Sequence, residues 1–191
     1  MNKTIGILGM QGAIAEHQEI LLQIPHTKTR IVKTAKDLDC IDGLILPGGE
    51  STAIGKLLDY FSLKEILQQK IISGLPVFGT CAGLILLAKN IENQTNTHLA
   101  TMDITVKRNG YGSQLDSFST NLLIPTIDKN MPIPLVFIRA PYITKTDKDV
   151  QILATLDNKI IAARQKNMLV SSFHPELTCD LRFHQYFLSM I

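Results

Sequence analysis

Cys81 lies in Val77-Phe78-Gly79-Thr80-Cys81-Ala82-Gly83-Leu84, where an apolar run breaks at one glycine and resumes after another. Gly-x-Cys-x-Gly between a buried strand and a helix is the cysteine counterpart of the serine elbow of hydrolases. Its glycines let strand and helix approach each other without Cβ clashes. The thiol is thereby presented at the carboxyl end of a sheet, where open α/β folds place their ligands. The positive end of the following helix favours thiolate over thiol. The Ala82 N–H can donate to an oxyanion forming on an attacked carbonyl. These are the parts needed for acyl transfer through a thioester.

That chemistry also needs a proton donor for the leaving group. Of the five histidines, His174 stands apart, in Ser171-Ser172-Phe173-His174-Pro175-Glu176. In extended backbone, residues i and i+2 point the same way. Glu176 is therefore expected to hold one ring nitrogen of His174 while the other faces Cys81, the orienting role of a triad's third member. Pro175 restricts the backbone between them. His17 reads as a helix-face residue, His26 and His98 as loop residues and His184 as part of a closing helix, all structural. Pro47-Gly48-Gly49-Glu50-Ser51-Thr52 follows another buried strand. It lacks the lysine and spacing of a phosphate-binding loop. It suits a turn in which the Gly49 N–H is a second oxyanion donor.

The elements that must position these groups follow from periodicity. Residues 4–9, 30–33, 43–46 and 76–78 read as strands. Helices fall at residues 13–24, just after Ser51, and at 63–72 and 84–89. Alternation of strand and helix argues for a parallel sheet covered on both faces. Beyond residue 100 the runs 104–106, 122–124, 135–138, 150–156, 160–163 and 169–173 look like short strands added antiparallel to that sheet. A helix over 181–190 closes the chain. No repeat or linker interrupts residues 1–191, which read as a single domain.

Composition narrows the function. The net charge is +2, with 45% hydrophobic and 19% charged residues, and no Lys/Arg run stands out. A nucleic-acid partner would want a concentrated basic face. No stretch approaches the roughly 20 apolar residues of a membrane span. Cys40, Cys81 and Cys179 are too scattered for a disulfide framework or a zinc site. A reducing compartment, the cytoplasm, fits a reactive thiol, and neither metal nor cofactor is expected.

Taken in order, Pro-Gly-Gly, Gly-x-Cys-x-Gly and His-Pro-Glu resemble the triad-type (class I) glutamine amidotransferases. Gly9-Met10-Gln11-Gly12-Ala13 and the stretches 46–52, 78–83, 108–118, 137–141 and 173–178 are similar, within that class, to the glutaminase subunits of pyridoxal 5′-phosphate synthase. Gly110-Tyr111 and Ser113 depart from the Ser-Phe/Tyr-Gly and basic residue usual there. The resemblance implies a three-layer α/β/α, flavodoxin-like fold with a mixed, mainly parallel central sheet. It implies Cys81, His174 and Glu176 as the triad, with glutamine contacts at Gly49, Glu50, Ser51, Arg108, Ile138 and Arg139. An arginine can pair with the α-carboxylate of L-glutamine and Glu50 with its α-ammonium group. The implied partner is a separate, barrel-shaped, oligomeric synthase subunit that receives the ammonia, with Gln11 and the helix after it at the interface. Rival readings are the glutaminase of another synthase, such as that for imidazole glycerol phosphate, a γ-glutamyl hydrolase, an oxidative-stress protein, and a silent regulatory subunit.

Overall fold

The computed structural model describes residues 2–110 and 117–191. The first half alternates: β1 (Lys3–Leu8), α1 (Ile14–Leu22), β2 (Thr27–Val32), a 3-10 turn (Ala35–Cys40), β3 (Gly43–Leu46), α2 (Ser51–Tyr60), α3 (Lys64–Ile72), β4 (Val77–Thr80) and α4 (Ala82–Leu87). The second half is mostly strand: β5 (Ala88–Ile91), β6 (Met102–Lys107), β7 (Ser117–Leu122), β8 (Ile133–Ile138), β9 (Tyr142–Thr146), β10 (Gln151–Leu156), β11 (Lys159–Gln165) and β12 (Met168–Ser171). A 3-10 turn (Pro175–Leu177) and α5 (Arg182–Leu188) follow.

The main sheet runs β2-β1-β3-β4-β12-β11-β9-β6-β5, with β10 beside β11. Strands β2 to β12 of that order are mutually parallel, the arrangement of a flavodoxin-like doubly wound sheet. From β11 onward the sheet extends antiparallel, apart from the parallel pair β5 and β6. Alternate residues feed two cores. Leu44, Leu46, Val77 and Val170 pack with α2, α3 and α4, whereas Ile45, Phe78 and Leu169 pack with Leu21 of α1 and Phe183 and Phe187 of α5. Helices on both faces explain why β3, β4 and β12 are buried at every residue.

The expected α/β fold is present, with local differences. Strands 7 and 8 do not join the main sheet. They form a separate antiparallel ribbon, whose Ile133, Leu135 and Phe137 enter the same core as α1 and α5. The run expected at 122–124 is the end of β7 and the residues after it. The helix expected to reach residue 89 stops at Leu87, because Ala88 begins edge pairing with Met102. Strand β9 has no counterpart among the expected strands. Only Ile143 of its five residues is buried, and pairing with β6 and β11 defines it. Tyr111 and Ser113, two of the positions expected to depart from the family's usual pattern, lie outside the described residues.

Candidate active site

Strands β3, β4 and β12 are neighbours and end nearly level, with Leu46 in register with Gly79 and Ser171 with Thr80. Their outgoing chains therefore reach one spot at the carboxyl edge of the sheet. These are the glycine turn, Cys81 and the segment carrying His174. Parallel pairing brings together residues that are far apart in sequence.

Cys81 caps α4 with φ 48° and ψ −98°, a left-handed conformation costing about 1–3 kcal/mol outside glycine. Its N–H donates to the Ser171 carbonyl at 2.8 Å. A Cβ on Gly79 would lie 2.6 Å from the Gly83 carbonyl carbon, and one on Gly83 would lie 2.1 Å from the Leu46 oxygen. Strand and helix reach this separation only with glycine at both places. Ala82 opens α4, so its N–H is among the donors a helix start leaves without an internal partner.

His174 Nδ1 lies 2.7 Å from Glu176 Oε1. The sequence reading anticipates this contact, but extended backbone does not produce it. Residues 175–177 form a tight 3-10 turn with Pro175 at its start and His174 at φ −106°, ψ 86°. The backbone at His174 is anchored too, its amide N–H donating to the Val136 carbonyl of β8 at 2.8 Å. Burial pushes the His174 imidazole toward neutrality, but interaction with Cys81 and the Glu176 hydrogen bond outweigh it, lifting its pKa to about 10. Burial raises the Glu176 carboxyl, and His17 and His174 together outweigh that, leaving it below its ordinary value. The geometry thus favours a charged imidazolium on a carboxylate.

Gly49, Glu50, Ser51, Cys81, Ala82, Arg108, Ile138 and Arg139 line one small cavity of about 50 Å³, with Ile85, Asn109 and Pro141 completing its wall. Arg139 is 3.5 Å from Glu50, and Arg108 Nη1 donates to Thr52 Oγ1 at 3.1 Å. Arg139 has φ 45°, at the turn that follows β8. Among the described residues, Ser51 Oγ is buried without a hydrogen-bond partner. His174 lines an adjoining cavity with Gln11, Gly12, Ala13 and Glu16, which meets the first at Gly49, Glu50, Cys81, Ile138 and Arg139. Gln11 Oε1 accepts the Glu50 N–H at 2.8 Å.

The sequence reading passed over His17, Thr80 and His184. His17 is wholly buried and 3.5 Å from Glu176 Oε2, so it does have a carboxylate partner, contrary to expectation. Its Nε2 is 3.1 Å from Thr80 Oγ1, and its Nδ1 is 3.1 Å from His184 Nε2. The available signal was a histidine in a stripe otherwise made of Ile14, Ile20, Leu21 and Ile24.

A model of the SNO glutamine amidotransferase family matches residues 7–191. The chain belongs to this family. Relatives of this glutamine amidotransferase include a pyridoxal 5′-phosphate synthase subunit PdxT of Ruminiclostridium cellulolyticum. It is 53% identical over 99% of this chain and 100% of the relative. The PdxT subunit of Carboxydothermus hydrogenoformans is 54% identical over 98% of this chain and 97% of its own length. A solved glutamine amidotransferase superposes with TM-score 0.89 at 38% identity, covering 97% of each chain. PurLQS from Thermotoga maritima, at TM-score 0.72 and 14% identity over 99% of each chain, shares the fold.

Proposed function

We propose that this glutamine amidotransferase is the glutaminase subunit of a pyridoxal 5′-phosphate synthase. It hydrolyses L-glutamine to L-glutamate and passes the ammonia to a separate, barrel-shaped, oligomeric synthase subunit. The observation that carries the chemistry is the meeting of Cys81 with the 2.7 Å His174–Glu176 pair beside the Glu50 and Arg139 cavity. The assignment to vitamin B6 synthesis is supported by the names of relatives at 53% and 54% identity.

In this reading the substrate's α-ammonium group meets Glu50, and its α-carboxylate meets Arg139 or Arg108. Ser51 Oγ and the backbone at Ile138 complete the contacts. Cys81 attacks the side-chain amide carbon, and the Gly49 and Ala82 N–H groups hold the tetrahedral oxyanion. His174 gives its proton to the departing ammonia, leaving a thioester on Cys81. It then takes a proton from water, which attacks the thioester and releases glutamate. Glu176 keeps the imidazole oriented throughout. Cys40 and Cys179 are free thiols on the surface, which suits a cytoplasmic, reducing setting.

Glutamate release by wild type and Cys81→Ala, measured with the synthase subunit present, tests the reading. Loss of turnover in the variant is expected, and appreciable residual release would sink the assignment of the nucleophile.

A further inference from the structure

Glu176 spends one carboxylate oxygen on His174. Among the described residues its other oxygen, Oε2, is buried with no conventional hydrogen bond. Facing it at 3.5 Å is Nε2 of the wholly buried His17. An unmet carboxylate oxygen away from water is costly, so the position of the His17 proton matters.

The contacts select that position. Burial drives both His17 and His184 toward the neutral form, His184 to about 3, so each carries one ring N–H. Suppose the His17 proton sat on Nδ1. It would be donated to His184 Nε2, forcing the His184 proton onto Nδ1, which is buried without a partner. Glu176 Oε2 would then face a lone pair. With the proton on Nε2 instead, His17 directs it at Thr80 Oγ1 and Glu176 Oε2, and His184 Nε2–H donates to His17 Nδ1. The unmet ring atom is then an acceptor on His184. An unmet acceptor costs less than a buried unmet N–H together with an unmet carboxylate oxygen.

We propose that His17 is a positioning residue whose Nε2–H fixes the Glu176 carboxylate, and through it the His174 ring, in a chain His184–His17–Glu176–His174–Cys81. The inference rests on the reading of Cys81, His174 and Glu176 as the reacting machinery. Two backbone links extend it. Thr80 Oγ1 also accepts the Gly48 N–H at 3.0 Å, and Ala13, at the start of α1, donates to the Gly48 carbonyl at 3.0 Å. The helix that carries His17 is thus tied to the oxyanion turn as well as to the carboxylate.

The titratable groups facing Glu176 are His174 from its own segment and His17 from α1. His184 of α5 stands behind His17, and Glu16 of α1 also acts on His17. A neutral His17 with its Nε2–H facing Oε2 favours the ionised Glu176 carboxylate. Losing it makes Glu176 easier to protonate, so the acid limb of Cys81 chemistry should move to higher pH.

His17→Gln, His17→Asn and His17→Leu separate positioning from space filling, because a glutamine amide reaches the Nε2 position whereas an asparagine amide reaches only that of Nδ1. Glutamate release is measured with the synthase subunit present, and Cys81 alkylation by iodoacetamide is followed across pH without glutamine. His17→Gln should keep most of kcat and the wild-type acid limb. His17→Asn and His17→Leu should lose kcat about ten- to hundredfold at near-constant KM, with the acid limb moved upward. Equal behaviour of His17→Asn, His17→Gln and wild type would overturn the proposal. So would a uniform loss with an unmoved acid limb, and if His17→Leu fails to fold, the Asn–Gln pair still decides. A wild type that releases no glutamate would refute the glutaminase reading instead, while the alkylation profiles would still judge His17.

Discussion

Alanine at Gly48 should disable the site without unfolding the protein. Its Cβ would fall 2.4 Å from His174 Cε1, 3.0 Å from Nδ1 and 3.5 Å from Cys81 Cβ. Carbon atoms are comfortable at about 3.5–4.0 Å, so the imidazole must retreat by about 1 Å. It has room to do so, because it lines the adjoining cavity. It cannot retreat and remain aligned, because Nδ1 is held 2.7 Å from Glu176 Oε1 and the backbone that carries the ring is fixed by the His174 amide N–H donating to the Val136 carbonyl at 2.8 Å. A misplacement of about 1 Å in a reacting group costs roughly 10²-fold in rate, or about 2.7 kcal/mol of barrier. Steady-state glutamate release by Gly48→Ala should therefore show kcat reduced by about two orders of magnitude, with thermal unfolding close to wild type. A variant within about threefold of wild type would refute the placement of His174 over this turn.

Two further perturbations probe parts of the fold that the chemistry leans on. The His174 pKa is raised to about 10 in the folded protein, against roughly 6.5 unfolded. Its contribution to stability is therefore complete below the unfolded value and is lost as pH climbs toward the folded one. Glu176 is shifted down, so its contribution is present above its unfolded pKa and is lost as pH falls. Urea midpoints should decline on both sides of neutrality, and Cys81→Ala should flatten the alkaline decline; an unchanged alkaline limb would contradict the His174 assignment. Asn167 Nδ2 donates to the Ile71 and Leu75 carbonyls at 2.8 and 2.7 Å, tying the end of α3 to the loop before β12. Asn167→Ala should cost about 1–3 kcal/mol, lowering Tm by about 2–4 °C per kcal/mol. Calorimetry alongside kcat, which should not change, checks this.

Much of the site was legible because its signals are local. The apolar strand, two close-approach glycines and a cysteine occupy consecutive residues, and so do His174, Pro175 and Glu176. Elements β1, α2, α3 and β4 could be placed because their periodicity reflects burial on both faces or one. Strands β5 and β9 were not legible. Their polar residues carry little periodicity, and each is a strand only through its neighbours, β6 beside β5 and both β6 and β11 beside β9. The β7–β8 ribbon looked like part of the main sheet, since strand character does not say which sheet a strand joins. His17 looked like a core residue for the same reason: its partners are Thr80, Glu176 and His184, each remote in sequence.

The sequence by itself picked out the proposed nucleophile, base and orienter, the glycine turn and the alternation that yields a parallel sheet, because each signal depends on neighbours along the chain. Tertiary structure alone decided that β3, β4 and β12 lie side by side and end level, which gathers those groups into one site. It also decided that a 3-10 turn joins His174 to Glu176, and that two histidines from helices at opposite ends of the chain meet behind the carboxylate. Those contacts depend on distances between remote segments, which only the packing of the two cores around the sheet defines.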